Sequence, residues 1–152
     1  MPIPGAFSGR VAPDEVMLIG AEHVRSLIVD AASDQLAQMD PHGLTVDQTS
    51  AWSVWTLSGP HAAEAFARLS AASLPTESAF VQAAIAGVPG KAVVLPDRIH
   101  VLVSSSLGHH LRERVLGACK DMPASEGAPR PLDVERSATS VEAASPGGAH
   151  SS

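Results

Sequence analysis

The clearest alternation in the chain sets Ile99, Val101 and Val103 against His100, Leu102 and Ser104, a period of two that predicts a β-strand. The same period recurs at Val81, Ala83 and Ile85, and strand character resumes over 91–95. Trp52, Val54 and Thr56 alternate with Ser53, Trp55 and Leu57, so this strand is covered on one or both faces. Between these strands the period changes. Ala62, Ala65, Phe66 and Leu69 mark the buried stripe of a helix, with Ser58 as its expected cap and Pro60 in its first turn. Leu107, Leu111, Val115 and Ala118 mark a second helix, which Ser106 is expected to cap. Gly87-Val88-Pro89-Gly90 is expected to turn the chain between strands, and Pro96-Asp97 to form a tight turn.

Outside residues 47–119 the pattern is weaker. Residues 1–14 hold three prolines and two glycines and suit an arm. The apolar runs 16–19 and 24–29 both read as strands, and 31–39 as a helical turn or two ended by Asp40-Pro41-His42-Gly43. Beyond residue 120 the chain turns to Pro, Gly, Ser and Ala, and Leu132, Val134 and Val141 are too sparse for a core. The expected organisation is an N-terminal arm (1–14), one compact domain (15–120) and a flexible or partner-bound tail (121–152). The expected fold class is α+β, with mostly antiparallel strands and packed helices.

Composition narrows the partners. Ten basic against sixteen acidic residues give a net charge of −6 with no basic run, which argues against nucleic acid. Much of the 45% apolar content is alanine, and three Phe, two Trp and no Tyr supply little large aromatic mass, so a partner surface is a reasonable addition to a modest core. No stretch approaches membrane-spanning length and no signal-peptide pattern opens the chain, giving a cytoplasmic expectation without a membrane partner.

Chemistry-bearing residues are few. Cys119 is the single cysteine and follows the apolar stripe of the second helix, so it is expected to line the core rather than act as a nucleophile. The seven histidines lie at 23, 42, 61, 100, 109, 110 and 150, without the close spacing of a metal site. His109 and His110 are expected on the surface or at an interface, His61 in the first turn of its helix, and His100 facing solvent or a partner. Gly87-Val88-Pro89-Gly90-Lys91 lacks the Lys-Ser/Thr ending and trailing helix of a phosphate loop, and Ser58 lacks a nucleophile elbow. Trp52 and Trp55 are expected on opposite faces of their strand, one in the core and one free to anchor a partner. No catalytic, cofactor-binding or metal residue is assigned.

With these residues in place the chain resembles the gamma subunit of heterotetrameric sarcosine oxidase and, more broadly, the first part of the aminomethyltransferase (glycine-cleavage T-protein) fold. The resemblance is carried by Asp47-Gln48-Thr49-Ser50, by Leu57-Ser58-Gly59-Pro60-His61-Ala62 with Phe66 and Leu69, by the 83–95 strand region, and by Asp97-Arg98-Ile99-His100-Val101-Leu102-Val103. It covers about the middle half of the chain. Folate-using members carry a catalytic carboxylate in a segment that here reads Val88-Pro89-Gly90-Lys91-Ala92-Val93-Val94, without an acid, and Ser104-Ser105 stands where an asparagine is common. The resemblance therefore implies a non-catalytic assembly subunit that binds no cofactor alone. It implies larger flavoprotein partners holding FAD, FMN, NAD and tetrahydrofolate, in a complex that oxidatively demethylates sarcosine or a related N-methyl amine. A stand-alone tetrahydrofolate-binding one-carbon transfer protein and an unrelated small adaptor are the alternatives.

Overall fold

The computed structural model describes residues 3–134. Six strands and three helices follow in the order β1 (Ala6–Ala12), β2 (Glu15–Gly20), α1 (Arg25–Met39), β3 (Trp52–Ser58), α2 (Ala62–Leu69), β4 (Ala79–Ile85), β5 (Val88–Val94), β6 (Arg98–Ser104) and α3 (Gly108–Ala118). Strands β3 to β6 form one antiparallel sheet in the order β3-β6-β5-β4, and β1 and β2 form a separate antiparallel hairpin. This is the α+β arrangement expected, with every strand pair antiparallel.

The four-stranded sheet is covered on both faces, which explains why β6 reads as a nearly continuous apolar run. Leu57, Ile85, Ala92, Val94, Ile99, Val101 and Val103 meet Ala65, Phe66 and Leu69 of α2 and Leu111 and Val115 of α3 on one face. On the other, Val93, Leu95 and Leu102 meet Ile19 of the hairpin and Val134, with Phe7, Met17, Phe80 and Leu132 around them. The hairpin lies close because Gly9 faces Phe80. A Cβ at Gly9 would stand 2.1 Å from the Phe80 ring, so a side chain there would lift β1 from the sheet. Phe7 and Phe80 then meet at a tilted 5.4 Å centroid separation.

Several local expectations change. Residues 24–29 are not a strand: helix begins at Arg25 and runs unbroken to Met39. The β-branched residues made this short run ambiguous, and packing of Ile28 against the hairpin side decided it. The segment read as an arm contains β1, paired with β2 from Ala6↔Gly20 onward, and Ile3 is buried. Of the segment read as a tail, Met122 is buried in one core and Val134 in the other with Leu132 packed beside it, so Leu132 and Val134 are not too sparse to pack; Val141 lies outside the described residues. Neither serine caps its helix. Ser58 ends β3 opposite Arg98, His61 occupies the N-cap position of α2, and Ser106 sits in a 3-10 turn ahead of α3.

The β4–β5 turn is also tighter than expected. It consists of Ala86 and Gly87, both at positive φ (53° and 81°), and β5 already begins at Val88. Positive φ at both central residues matches the twist of a two-residue hairpin. Pro89 fits inside the strand because the β5–β6 ladder starts only at Gly90↔Val103, leaving no bond for Pro89 to donate. Gly87→Ala should cost about 1 kcal/mol, since a Cβ there meets nothing within 4 Å and only the backbone penalty remains. Thermal unfolding should show a fall of a few degrees; an unchanged midpoint would contradict this reading of the turn.

Candidate functional site

The titratable side chains do not converge on one centre. His61 and Glu64 lie 3.4 Å apart at the exposed start of α2, and Glu64 also accepts from Arg68 at 2.9 Å. Arg68 reaches on to Asp121 and donates to the Ala118 carbonyl at 2.8 Å, tying the end of α3 to α2. Asp121 is held below the ordinary carboxylate range, chiefly by its hydrogen bond from Arg68. His109 is exposed and pairs with Glu113 at 3.1 Å. Cys119 is half-buried against the helix-side core, as expected.

His110 departs from the surface role expected for it. It is half-buried, and its Nε2 lies 2.9 Å from the Ala86 carbonyl, which can only accept. The Ala86 amide donates to the Leu69 carbonyl at 2.8 Å. The strained β4–β5 turn is thereby fastened to both α2 and α3, which accounts for a non-glycine residue at positive φ.

His100 departs furthest. Instead of facing solvent it is 2% exposed at the centre of β6, on the hairpin side of the sheet. Its Nε2 lies 2.7 Å from the Asp133 carbonyl and its Nδ1 2.8 Å from Thr56 Oγ1. A carbonyl cannot donate, so Nε2 carries the proton and Nδ1 accepts from the threonine hydroxyl. Burial pushes the imidazole below its ordinary range, and neighbouring Arg98 adds to this against the opposing pull of the Asp133 carbonyl. The neutral ring is thus fully bonded. Arg98 reinforces the same attachment, donating from Nε to the Asp133 carbonyl at 3.0 Å and from Nη1 to both Asp97 carboxylate oxygens at 2.9 Å. Together they seat residues 132–134 on the sheet.

The tryptophans do face opposite sides, but neither stands free. Trp55 packs on the helix-side core and Trp52 on the hairpin-side core, both half-buried. Lys91 Nζ sits 5.4 Å from the centre of the Trp52 ring, within cation–π range, so the lysine of the glycine-lysine segment lies over an indole. Trp52 Nε1 is buried without a hydrogen-bond partner among the described residues.

Among the described residues no group of three or more His, Cys, Asp and Glu side chains could hold a metal, and no helix is long and apolar enough to cross a membrane. A groove of about 600 Å³ runs between residues 75–78 and the 94–96 end of β5. It is half-open, and Thr76, Glu77 and Ser78 face Val94, Leu95 and the two prolines across it, without the aromatic, largely enclosed lining common in cofactor sites.

What the fold does define is an α+β domain consistent with the aminomethyltransferase-like class: a four-stranded antiparallel sheet with helices on one face and a hairpin on the other. Comparison with known proteins places a specific structure beside it. The chain is similar to one chain of the heterotetrameric sarcosine oxidase from Corynebacterium sp. U-96, solved in complex with pyrrole 2-carboxylate, at a TM-score of 0.68 and 22% identity. The match covers 83% of this chain and 65% of that one, so this protein spans about two thirds of its length. No protein-family model and no curated protein matches the chain.

Proposed function

We propose that the protein is a structural subunit of a heteromeric, flavin-dependent amine-oxidising complex of the sarcosine oxidase type. The observation carrying this reading is the shared fold with a chain of a heterotetrameric sarcosine oxidase. The chemistry of the chain supports it. Strand β5, where the resembled folate-using transferases carry their carboxylate, holds Lys91 and no acid. The buried histidine is spent on positioning residues 132–134, because both its nitrogens are already bonded. On this reading flavin, nicotinamide and folate belong to larger partner subunits, and the complex demethylates sarcosine or a related N-methyl amine in the cytoplasm.

The test is to isolate the full chain, affinity-tagged, from the cells that make it and to identify its companions by mass spectrometry and flavin absorbance. Larger flavoprotein subunits in fixed ratio to this chain are expected, with amine-dependent formaldehyde formation by the assembly. Calorimetric titration of the purified chain with FAD or tetrahydrofolate is expected to show no heat of binding. A solitary chain with a micromolar tetrahydrofolate constant would overturn the proposal in favour of a one-carbon transfer protein.

A further inference from the structure

Large apolar side chains left in solvent concentrate on one part of the molecule. Leu27 is 63% exposed, Met39 and Leu44 each 82%, and Val46 58%. All four belong to α1 or to the loop that follows it. Helix α1 rests on the β1–β2 hairpin and buries Ile28 alone among its residues, so most of its surface has no cover within the described chain. A 15-residue helix with so little buried surface is weakly supported by its own packing.

The loop is nonetheless pinned. Asp40 accepts from the His42 amide at 2.9 Å, and Leu36 closes over Gly43, where a Cβ would stand 2.6 Å from the leucine methyl. At the far end Asp47 accepts from the Thr49 hydroxyl at 2.7 Å, from the Thr49 amide at 3.0 Å and from Arg25 Nε at 2.8 Å. These bonds, those of Thr49 foremost, hold its carboxyl down to about 2. Leu44 and Val46 are therefore presented between two anchored ends, at the side of a helix start fixed by Arg25.

Charge selects what can cover this face. Residues 22–47 carry Glu22, Asp30, Asp34, Asp40 and Asp47 against the single Arg25, a net −4 out of −6 for the whole chain. Arg25 is already engaged by Glu22 at 3.2 Å and Asp47 at 2.8 Å. A second copy of the chain would set the same carboxylates against each other. An anionic lipid surface or nucleic acid would be repelled in the same way. A protein surface with an apolar recess and a lysine- or arginine-rich rim satisfies both the exposed side chains and the carboxylates.

We infer that α1 and the loop to residue 47 are the part by which this chain docks onto a larger protein subunit that clasps the helix, with Met39, Leu44 and Val46 entering an apolar recess and Asp30 and Asp34, on the stripe of α1 that also carries exposed Leu27, meeting a basic wall. This rests on the reading of the chain as a subunit of a larger complex and names the surface that reading requires.

The experiment compares variants of the tagged full chain isolated from the same cells, scored by the flavoprotein subunits recovered. M39D/L44D is expected to lower recovery at least about tenfold, and D30K/D34K to weaken it and flatten its dependence on salt. Leu116→Asp, on α3 across the sheet from the hairpin, should recover the same amount as the unaltered chain. Circular dichroism and urea unfolding of each purified variant verify folding, which substitutions at exposed positions should leave intact. Equal recovery by all variants would overturn the docking face while leaving the subunit reading standing. No flavoprotein with the unaltered chain would overturn both. Three results would assign the face to another occupant and overturn the inference: self-association in sedimentation that M39D/L44D abolishes, co-sedimentation with phosphatidylserine vesicles, or lower urea stability of M39D/L44D in the isolated chain.

Discussion

Phe66→Ala is expected to cost about 3–5 kcal/mol of unfolding free energy, the largest loss of any single truncation considered. Phe66 is 1% exposed on α2, in the cluster where Leu57 of β3, Ile99 and Val101 of β6, and Leu111 and Val115 of α3 come together. Most members of that cluster are aliphatic or alanine, and a close-packed interior relaxes only partly around the space the ring leaves. Domains of this size commonly carry about 5–15 kcal/mol in total, so the variant should unfold at far lower urea and be only marginally folded at 37 °C. Urea unfolding followed by tryptophan fluorescence measures it directly, since Trp55 packs on the same cluster. A loss below about 1 kcal/mol would show that the site collapses around the gap and that this core is not the principal one.

The second large effect concerns His100. His100→Phe keeps a comparable volume but removes both hydrogen bonds, to Thr56 Oγ1 and to the Asp133 carbonyl, and should cost about 1–3 kcal/mol. Its pH signature is more specific. Burial lowers the imidazole's affinity for a proton in the folded chain, so below the ordinary histidine value of about 6.5 the unfolded chain binds more protons than the folded one. The neutral ring's contribution is therefore fully present above about pH 6.5 and is lost as pH falls from there through the lowered folded-state value. The charged groups facing the ring act on this in both directions: Arg98 opposes protonation, while Asp133 and Asp97 favour it less strongly than burial disfavours it. Unfolding curves at pH 8 and pH 5 should show the unaltered chain losing more stability on acidification than His100→Phe. The other histidines are common to both proteins and cancel in the difference. Backbone amide exchange at residues 132–134 should quicken in the variant, because the attachment of that segment to the sheet is gone. Equal acid sensitivity of the two proteins would remove His100 as the buried titrating group.

These two residues illustrate how unevenly the sequence reports on the fold. Phe66 was legible because a helical stripe has a fixed period, and Ala65, Phe66 and Leu69 recur on it whatever the neighbours are. His100 was not. Its alternation with Ile99 and Val101 marked a strand correctly, but a polar residue in that register suggests an open face, and nothing nearby in sequence shows that residues 132–134 return to cover it. The same limit applies to Val134, which looked too isolated to pack, and to His110, whose partner carbonyl at Ala86 lies across the molecule. Helix α1 failed differently. Val24, Ile28 and Val29 favour a strand locally, and with so little of α1 buried its periodicity is faint. The exposed apolar residues at 39, 44 and 46 leave a faint signal as well, beside a cluster of acids in a segment without a clear core stripe.

The sequence by itself determined the elements whose period is strong: the four sheet strands, α2, α3, the tight turn after β5, and the absence of an acid from 88–94. Local backbone geometry and side-chain spacing suffice for these, because each can be recognised within a few residues. Tertiary structure alone decided what depends on distant segments meeting. It set the hairpin of β1 and β2 on one face of the sheet, brought residues 132–134 back over His100, fastened the Ala86–Gly87 turn with His110, and left much of α1 and its loop uncovered by the described residues. Burial is a property of two surfaces brought together, and a sequence pattern shows only one of them.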